Sequence, residues 1–318
     1  MADRVLVTRE IPEAGLRVLD AFDVTVLSEG PPERGELLEA VRSAAGILST
    51  VTEKIDAEVM DAAGEDLKVL ANMAVGYDNI DLGAALERGV VVTNTPEVLN
   101  ETTADTAFML LLAAARRLGE AERLLRSGGW DAWGPKQLTG PDVWGKTLGV
   151  VGFGRIGQAL ARRARGFDMD LAYHDQYRNE DAERGLGARY LDLEELLRTS
   201  DFVSIHTPLT DDTHHLIGKA ELRRMKPEAV LVNTSRGPVV DEAALAEALA
   251  DGEIFAAGLD VYEDEPAVHP RLLELENVVL SPHIGSASVE TRDRMAVLAA
   301  ENLAAVLRGE DPKTPVDA

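Results

Sequence analysis

Apolar residues in the first hundred positions fall into short runs that are separated by segments with helical spacing. The runs, rich in β-branched and aliphatic side chains, lie at residues 5–7, 24–27, 46–48, 69–71 and 90–92. Between them, segments such as 12–21 and 33–43 carry apolar residues about every three to four positions. Strands that alternate with helices are typical of a parallel sheet covered on both faces. The pattern therefore predicts an α/β domain at the start of the chain.

A long helix and an irregular arm follow this first series. The helix is predicted to begin after Asn100, its N-cap, and to run through Thr103 and Phe108 to about Leu118 as a buried connector between domains. Residues 127–146 contain glycine, proline and all three tryptophans without clear periodicity. Because exposed tryptophans are unfavourable in water, this arm is predicted to contact a second subunit; local packing under a loop is the alternative.

A second alternating series begins at Thr147. Its strands are predicted near Leu171, Phe202, Val230, Ala256 and Val278, and residues 288–307 have the pattern of a long amphipathic helix. At 318 residues, 45% of them hydrophobic, the chain exceeds the usual size of one domain. The predicted fold class is α/β, with two Rossmann-like or flavodoxin-like doubly wound parallel-sheet domains separated by a cleft.

Composition and charge exclude several classes of partner. The chain has 32 basic and 56 acidic residues, a formal net charge of -24, which repels nucleic acid and anionic lipid surfaces. Its longest apolar run, residues 107–115, is about half of the ~18 residues that a membrane-spanning helix needs. The chain has no cysteine, and its first residues carry an acid and a base where a secretory signal has its apolar core. We therefore expect a cytoplasmic protein without disulfides or a membrane partner.

A glycine-rich turn lies between a predicted strand and a predicted helix at residues 148–165. Gly152, Gly154 and Gly157 form a Gly-x-Gly-x-x-Gly pattern that also contains Arg155 and Ile156. In a dinucleotide-binding turn the first glycine allows the tight bend, the second lets a pyrophosphate approach the backbone, and the third lets the helix pack closely. The helix N-terminus attracts the anion. The pattern predicts a dinucleotide site, with all five residues as cofactor contacts.

An acidic residue in the next strand indicates which dinucleotide is bound. Asp175 ends the predicted strand 171–175 and lies at the spacing expected for a carboxylate that binds the adenine ribose hydroxyls. A carboxylate repels a 2'-phosphate, and Gln176 adds no positive charge, so NAD is favoured over NADP. Arg178 lies close enough to keep NADP possible.

Three further segments, at residues 233–237, 258–266 and 281–286, each follow a strand of the second series. Because such loops meet at the ligand crevice of a parallel sheet, an arginine, a glutamate and a histidine from these segments are predicted to meet beside a nicotinamide.

The ordered glycine, Arg, Glu and His segments resemble the D-isomer-specific 2-hydroxyacid dehydrogenases over essentially the whole chain. Residues 72–81 and 281–287 are most similar to glyoxylate and hydroxypyruvate reductases within that family. The resemblance implies that Arg236, Glu265 and His283 are catalytic, and that the backbone N–H groups near Val75 and Gly76 hold the substrate carboxylate with Arg236 and His283. It also implies that Asp260 supports the nicotinamide.

The reaction that the resemblance implies, reduction of a 2-keto acid, needs a proton donor and a fixed cation. His283 is the candidate acid, Glu265 would orient its ring and favour the protonated form, and Arg236 would clamp the substrate carboxylate.

The predicted layout has a substrate domain of residues 1–99 plus 287–318 around a dinucleotide-binding domain of residues 100–286. The whole chain is expected to form a homodimer that acts on a small anionic 2-keto or 2-hydroxy acid. Besides the glycine turn, Asp175 and Asp260, the candidate cofactor contacts are Thr103, Thr207, Pro208, Thr213, Thr234 and Gly285.

The same motifs are compatible with other functions. A D-3-phosphoglycerate dehydrogenase or another D-2-hydroxyacid dehydrogenase fits the same motifs, and a non-enzymatic NAD-sensing protein related to transcriptional corepressors shares the fold and the three catalytic residue types. His206 is interpreted as a packing residue. No metal site is expected, because His174, His214, His215 and His269 show no ligand spacing and cysteine is absent.

Overall fold

The computed structural model describes residues 2–27 and 30–316. Two compact units divide the chain. Unit 1 consists of Met1–Leu99 and Ala287–Ala318, and unit 2 consists of Asn100–Ser286.

Unit 1 is built on a parallel sheet whose strands coincide closely with the predicted runs. Its described strands are Arg4–Val7 (β1), Asp23–Val26 (β2), Gly46–Ser49 (β3), Val69–Asn72 (β4) and Val91–Thr93 (β5). They lie in the order β2-β1-β3-β4-β5, and every neighbouring pair is parallel. The central strands β3 and β4 are fully buried, which explains their continuous apolar sequence.

Unit 2 contains a larger parallel sheet. Its described strands are Thr147–Val151 (β6), Asp170–His174 (β7), Arg189–Tyr190 (β8), Phe202–Ile205 (β9), Val230–Asn233 (β10), Ala256–Leu259 (β11) and Val278–Leu280 (β12). The strand order is β12-β11-β10-β9-β6-β7-β8. Chain order reverses beside β6, and in such sheets the ligand crevice lies at the carboxyl ends of the strands next to that switch point. The predicted fold class, two parallel-sheet α/β domains, is confirmed.

Helices connect the strands in both units. In chain order the described α-helices are Glu13–Leu16 (α1), Arg34–Ala40 (α2), Ala57–Ala63 (α3), Leu82–Glu87 (α4), Asn100–Ala115 (α5), Leu118–Arg126 (α6), Arg155–Arg165 (α7), Glu180–Leu186 (α8), Leu193–Thr199 (α9), Lys219–Leu222 (α10), Glu242–Ala250 (α11), Pro270–Glu274 (α12) and Val289–Leu307 (α13). Short 3₁₀ turns cover Arg17–Leu19 and Gly237–Val239. No helix within residues 2–27 and 30–316 is long and apolar enough to cross a membrane.

The sheet of unit 2 has an apolar core on each face. On one face Leu148 and Val150 of β6 belong to the same buried cluster as Leu110 of α5 and Leu160 of α7. On the other face a second buried cluster includes Val203 of β9 and side chains of α9, α10 and α11. Burial on both faces leaves the strand ends and the loops after them as the places where polar chemistry can occur.

The prediction of one helix from Asn100 to about Leu118 is wrong in its details. Asn100 is the first helical residue rather than a cap, α5 ends at Ala115, and α6 begins at Leu118. Arg117 interrupts the helix with a left-handed backbone, φ 53°. A non-glycine residue rarely adopts this conformation, and neither glycine nor proline marks the break in the sequence. The predicted segment 12–21 is likewise split, into α1 and a 3₁₀ turn.

The arm at residues 127–146 contains no helix or strand in the part of the chain that the structure describes. Its tryptophans are exposed: Trp133 by 78%, Trp144 by 68% and Trp130 by 48%. Trp144 Nε1 donates to Asp168 at 2.8 Å and Trp130 Nε1 to Gln137 at 3.3 Å, so local contacts hold two of the indoles but leave much of their surface uncovered.

Candidate active site

The glycine turn has the geometry that the sequence predicts. Gly152 follows β6 with φ 91°, a conformation that favours glycine, and a Cβ there would lie 2.7 Å from the carbonyl carbon of His206. At Gly157, on α7, a Cβ would lie 2.4 Å from the Gly152 carbonyl oxygen. At Gly154, which caps α7, a Cβ would meet no described atom within 4 Å. The turn is thus tight on its protein side and open at Gly154, where an anion would meet the helix N-terminus.

Two buried hydroxyl groups at neighbouring strand ends of this sheet have no hydrogen-bond partner among the described residues. The Oγ1 atoms of Thr207 and Thr234 are buried without a hydrogen bond among the described residues. Thr207 follows β9 and Thr234 follows β10, two neighbouring strands of the sheet. A buried hydroxyl without a partner is unfavourable, so a polar ligand at these strand ends would satisfy both. This observation and the open face of Gly154 show that the residues present fit a dinucleotide.

Asp175 lies at the end of β7, beside the glycine turn. Its Oδ2 accepts a hydrogen bond from the Phe153 N–H at 2.6 Å, and its Oδ1 accepts one from the Tyr177 N–H at 3.5 Å. The carboxylate is therefore held next to the turn, in the position where an adenine ribose is bound in folds of this kind.

The guanidinium of Arg178 is hydrogen-bonded to another side chain of the same protein. Its Nε and Nη2 donate to the two oxygens of Glu183 at 2.7 and 2.8 Å, and the Tyr173 hydroxyl donates to Glu183 at 2.7 Å. These hydrogen bonds, first the one from Arg178, lower the pKa of Glu183 to about 2. Because a two-pronged arginine–carboxylate contact is among the stronger polar interactions, Arg178 is not available to a cofactor phosphate without breaking it.

The structure places His283 in contact with Glu265, and the loop that carries Arg236 packs against the same segment. His283 Nδ1 and Glu265 Oε2 are 2.8 Å apart. Burial, the largest influence, raises the pKa of Glu265, but the hydrogen bond and charge of His283 together with the Tyr262 N–H and the charge of Arg236 lower it to a net value below the usual range. Arg236 is thus near enough to act electrostatically on this pair. With Nδ1 engaged by the carboxylate, Nε2 is the ring atom left to exchange a proton with a ligand.

His283 is held by a buried aspartate. It has a left-handed backbone, φ 52°, and its N–H donates to the Asp260 carbonyl at 2.9 Å. The Asp260 side chain, 1% exposed, accepts hydrogen bonds from the N–H groups of Ile284 at 2.8 Å and Gly285 at 2.7 Å. A strained backbone conformation persists only where surrounding contacts hold it in place. The hydrogen bonds to Asp260 are such contacts, so Asp260 fixes the turn from which the imidazole projects.

Arg236 extends from a turn after β10. The side chain of Asn233 donates to the Arg236 carbonyl at 2.8 Å and accepts from the Ser235 N–H at 3.0 Å. The following residue, Gly237, lies against the segment that carries Glu265, since a Cβ there would be 1.8 Å from the carbonyl carbon of Tyr262. The two loops therefore pack backbone to backbone, and only glycine fits at this contact.

Glu242 and Glu263 form a reciprocal clasp between the same two loops. The Glu263 N–H donates to Glu242 Oε1 at 2.7 Å, and the Glu242 N–H donates to Glu263 Oε2 at 3.2 Å. Glu242 also accepts from the His269 N–H at 3.2 Å and is only 4% exposed. Burial raises the pKa of Glu242 above its ordinary value. The clasp fixes both ends of the loop in which Glu265 lies.

The other predicted cofactor residues lie at three places in unit 2. Thr103 lies next to Gly285, where a Cβ would be 3.5 Å from the Thr103 Cγ2. The Thr213 hydroxyl is used locally and donates to the Pro208 carbonyl at 2.7 Å. Arg155 and Ile156 form the first turn of α7.

The predicted substrate turn, at Val75 and Gly76, lies in unit 1 after β4. The Asn94 side chain donates to the Val75 carbonyl at 2.8 Å, and the buried Asn72 side chain donates to the Gly76 carbonyl at 2.9 Å. Two asparagines therefore fix the carbonyl side of this turn, and its N–H side is the one suited to an anion.

Comparison with known proteins identifies the family. The family described as "D-isomer specific 2-hydroxyacid dehydrogenase, NAD binding domain" matches residues 108–285. A glyoxylate reductase of Korarchaeum cryptofilum is 55% identical over 322 residues, which cover 100% of this chain and 96% of that protein. The chain belongs to the D-isomer specific 2-hydroxyacid dehydrogenase family. The predicted resemblance is thereby confirmed, and this dehydrogenase is an NAD(P)-dependent enzyme.

Solved structures of relatives have the same fold as this dehydrogenase. The TT0316 protein of Thermus thermophilus has a TM-score of 0.93 at 49% identity, with 99% of this chain and 100% of that chain covered. An NADPH-dependent glyoxylate/hydroxypyruvate reductase of Sinorhizobium meliloti, solved with NADP and malonate, has a TM-score of 0.86 at 38% identity, with 99% and 97% covered.

Several residues of the dehydrogenase's site escaped the sequence analysis. Asn233 precedes the turn that it stabilises. Asparagine in such a position commonly forms hydrogen bonds with nearby backbone groups, so the sequence did contain a sign of its role. Glu242 resembles an ordinary acidic residue in the first turn of a helix, so nothing in the sequence distinguished its clasp.

The histidines of this dehydrogenase other than His283 have different environments. Burial lowers the pKa of His206 to about 4, and its Nε2 lies 2.9 Å from the Ser204 hydroxyl. It therefore stays neutral near pH 7, as a packing residue would. The expectation that His214 and His215 have no partners at ligand spacing is wrong, because folding brings both beside Glu263. Sequence spacing missed this cluster, since Glu263 is far away along the chain.

Proposed function

We propose that this dehydrogenase reduces a small 2-keto acid, with glyoxylate favoured and hydroxypyruvate next, to the 2-hydroxy acid, the D-isomer where the product is chiral. The observation that carries the proposal is the hydrogen-bonded His283–Glu265 pair, 2.8 Å apart, in a loop at the carboxyl end of the sheet and under the charge of Arg236. The curated glyoxylate reductases among its relatives support the choice of substrate.

Each side chain of the site has a separate role in the proposed reaction. Bound NAD(P)H supplies the hydride. The protonated imidazole of His283 donates its Nε2 proton to the substrate carbonyl oxygen as negative charge develops there, because Nδ1 is held by Glu265. Glu265 keeps the ring oriented and stabilises its positive form. Arg236 binds the substrate carboxylate through its planar guanidinium, and the N–H groups of Val75 and Gly76 provide the second hold.

The dinucleotide is held by unit 2 in this proposal. The turn from Gly152 to Gly157 takes the pyrophosphate, and the unpartnered hydroxyls of Thr207 and Thr234 take polar groups of the ligand. Thr103, Asp260 and Gly285 adjoin one another, and this set, with Pro208 and Thr213, completes the predicted contacts. Unit 1 then acts as the substrate domain and unit 2 as the dinucleotide-binding domain.

We further propose that NAD is preferred over NADP. Asp175 places a negative charge at the end of β7, where a 2'-phosphate would be repelled. Arg178, the nearby cation that could offset this repulsion, is held by both oxygens of Glu183. The NADPH-dependent Sinorhizobium meliloti relative shows that the family uses both cofactors.

The oligomeric state and the location complete the proposal. We propose a homodimer whose contact includes the arm at 127–146, because exposed tryptophans are enriched at interfaces and costly in water. A mass measurement by light scattering of the wild type and of Trp133→Ser tests it: a wild-type monomer contradicts it. A cytoplasmic location stays a prediction, supported by the absence of cysteine.

A substrate panel tests the activity. Nicotinamide absorbance is followed with glyoxylate, hydroxypyruvate, pyruvate and 3-phosphohydroxypyruvate, each with NADH and with NADPH. We expect the highest kcat/KM for glyoxylate with NADH. A clear preference for the phosphorylated substrate would replace the proposal with a phosphoglycerate dehydrogenase, and dinucleotide binding without turnover of any 2-keto acid would indicate a sensing protein.

A further inference from the structure

We propose that His214, His215 and Glu263 form a binding site for a divalent transition-metal ion of the zinc class. One potential ligand atom from each of the three residues lies within 4.8 Å of the others. The Nε2 of His215 is in direct contact with Oε1 of Glu263, and the two imidazole rings are stacked with centroids 4.1 Å apart. The site goes beyond the reductase chemistry, and nothing in it depends on the substrate or the dinucleotide.

Two of the three ligands stand on backbone that the fold fixes. His215 has a left-handed backbone, φ 51°, and its N–H donates to the Pro238 carbonyl at 2.7 Å. Two residues later, the buried Ile217 forms a bridge to Val240. The ring of His215 therefore projects from a segment attached to the loop after β10, and a strained residue held in this way points to a functional constraint.

Glu263 is fixed from the other side by the clasp with Glu242. Its N–H and its Oε2 are both used in that clasp, at 2.7 and 3.2 Å, so Oε1 is the oxygen directed at His215. A carboxylate oriented by backbone hydrogen bonds, in contact with an imidazole nitrogen, resembles the supported ligands of metal sites. Binding requires that the ion replace the direct contact between Nε2 and Oε1 and that His214 turn its exposed ring toward it.

The chemistry of the donor set selects the class of ion. Two imidazole nitrogens and one carboxylate oxygen suit Zn²⁺, Co²⁺, Ni²⁺ and Cu²⁺, whereas Mg²⁺ and Ca²⁺ prefer sites made only of oxygen. Both histidines are exposed, so water can complete the coordination sphere. A divalent ion bound to one carboxylate and two neutral imidazoles leaves one positive charge at the site. The net charge of -24 on the chain favours this, because it raises the local concentration of cations.

A metal ion here would join two loops. His214 and His215 lie in the loop between β9 and α10, and Glu263 lies in the loop between β11 and α12 that also carries Glu265. Because the ion binds the folded chain and not the unfolded one, it should raise the midpoint of thermal unfolding.

Metal titration of the whole chain tests the proposal. After removal of bound metal with a chelator, ZnCl₂ is titrated by calorimetry and CoCl₂ by absorption spectroscopy. We expect saturation at one ion per chain and a cobalt spectrum with the intense visible bands of a site of low coordination number. His214→Ala, whose exposed ring can be removed without disturbing the fold, and Glu263→Gln should each weaken binding by at least about tenfold.

Asp212→Asn is the matched control, since this exposed residue lies in the same loop as His214 and loses the same charge as Glu263→Gln. It should change the affinity less than about twofold, as expected for a surface charge outside the ligand set. Absence of saturable binding, equal affinity in wild type and His214→Ala, or equal weakening by Asp212→Asn would each overturn the site and leave His215 and Glu263 as a hydrogen-bonded surface pair. Because the readout is binding, failure of the reductase proposal would not affect this result.

Discussion

Removing the negative charge of Glu265 is the most informative test of the proton-transfer step. Glu265→Gln keeps the size of the side chain, and its amide oxygen can still accept from His283 Nδ1, so the ring should stay near its position. A hydrogen bond to a charged group contributes about 1.5 to 3 kcal/mol. Since each 1.36 kcal/mol changes a rate about tenfold, the full range corresponds to about 10- to 150-fold in kcat.

The exposure of the pair places the expected effect in the lower part of that range. The side chains of His283 and Glu265 are 32% and 33% exposed, so water screens their interaction. We therefore expect kcat to fall about 10- to 30-fold. KM for glyoxylate should change little, because Glu265 does not touch the substrate in the proposed mechanism.

The pH profile separates this effect from a general loss of structure. The pKa of Glu265 lies below its usual range, so the carboxylate stays ionised from about pH 6 upward. The alkaline fall of kcat should move to lower pH in Glu265→Gln, because a carboxylate beside a proton donor stabilises its protonated form and a neutral amide does not.

Steady-state kinetics with NADH and glyoxylate between pH 6 and 10 make the measurement. Asp264→Asn is the control, since it removes an exposed carboxylate one residue away. An unchanged kcat and an unchanged pH profile in Glu265→Gln would refute the role assigned to the pair. A fall in kcat of equal size in Asp264→Asn would show that the effect belongs to the charge of the loop rather than to this contact.

Three further predictions follow from the site. His283→Ala should lower kcat by about 10²- to 10⁴-fold while NADH binding, measured by fluorescence, stays nearly unchanged; a loss of NADH affinity of the same size would contradict its role as proton donor. Arg236→Lys should mainly raise KM for the 2-keto acid, because a point charge does not replace a planar fork, and an effect on kcat alone would argue against carboxylate binding. Glu183→Gln should raise the ratio of kcat/KM for NADPH to that for NADH by about tenfold, the value of one released charge-assisted contact, and adding Arg178→Ala should cancel the gain; a gain that survives the second substitution would exclude Arg178 as the phosphate ligand.

The elements with a strong local signal could be predicted from the sequence. Strands such as β3 and β4 are buried on both faces, and burial of this kind requires the continuous apolar runs that the sequence shows. The glycine turn was equally clear, because Gly152 and Gly157 leave no room for a side chain. In both cases the packing requirement acts on residues that are adjacent in the chain, so the local sequence pattern reveals it.

Features that depend on tertiary contacts could not be predicted. The break between α5 and α6 occurs at Arg117, which has a left-handed backbone. Arginine has no preference for this conformation, and α6 has no buried residue, so the local sequence does not mark Arg117 as a helix end. The clasp between Glu242 and Glu263 joins residues 21 positions apart through backbone donors. The cluster of His215 and Glu263 spans 48 positions. Residue identity gives no sign of such contacts until the fold brings the loops together.

The way Asp260 holds the turn of His283 has a consequence for how fast the proton can move. The hydrogen bonds described for this imidazole and its turn, from the buried carboxylate behind it to Glu265 at its side, come from residues within Asn100–Ser286. In the proposed mechanism the acid is therefore oriented before any substrate arrives, and few dipoles need to turn during the reaction. Low reorganisation is what this arrangement would contribute to the rate.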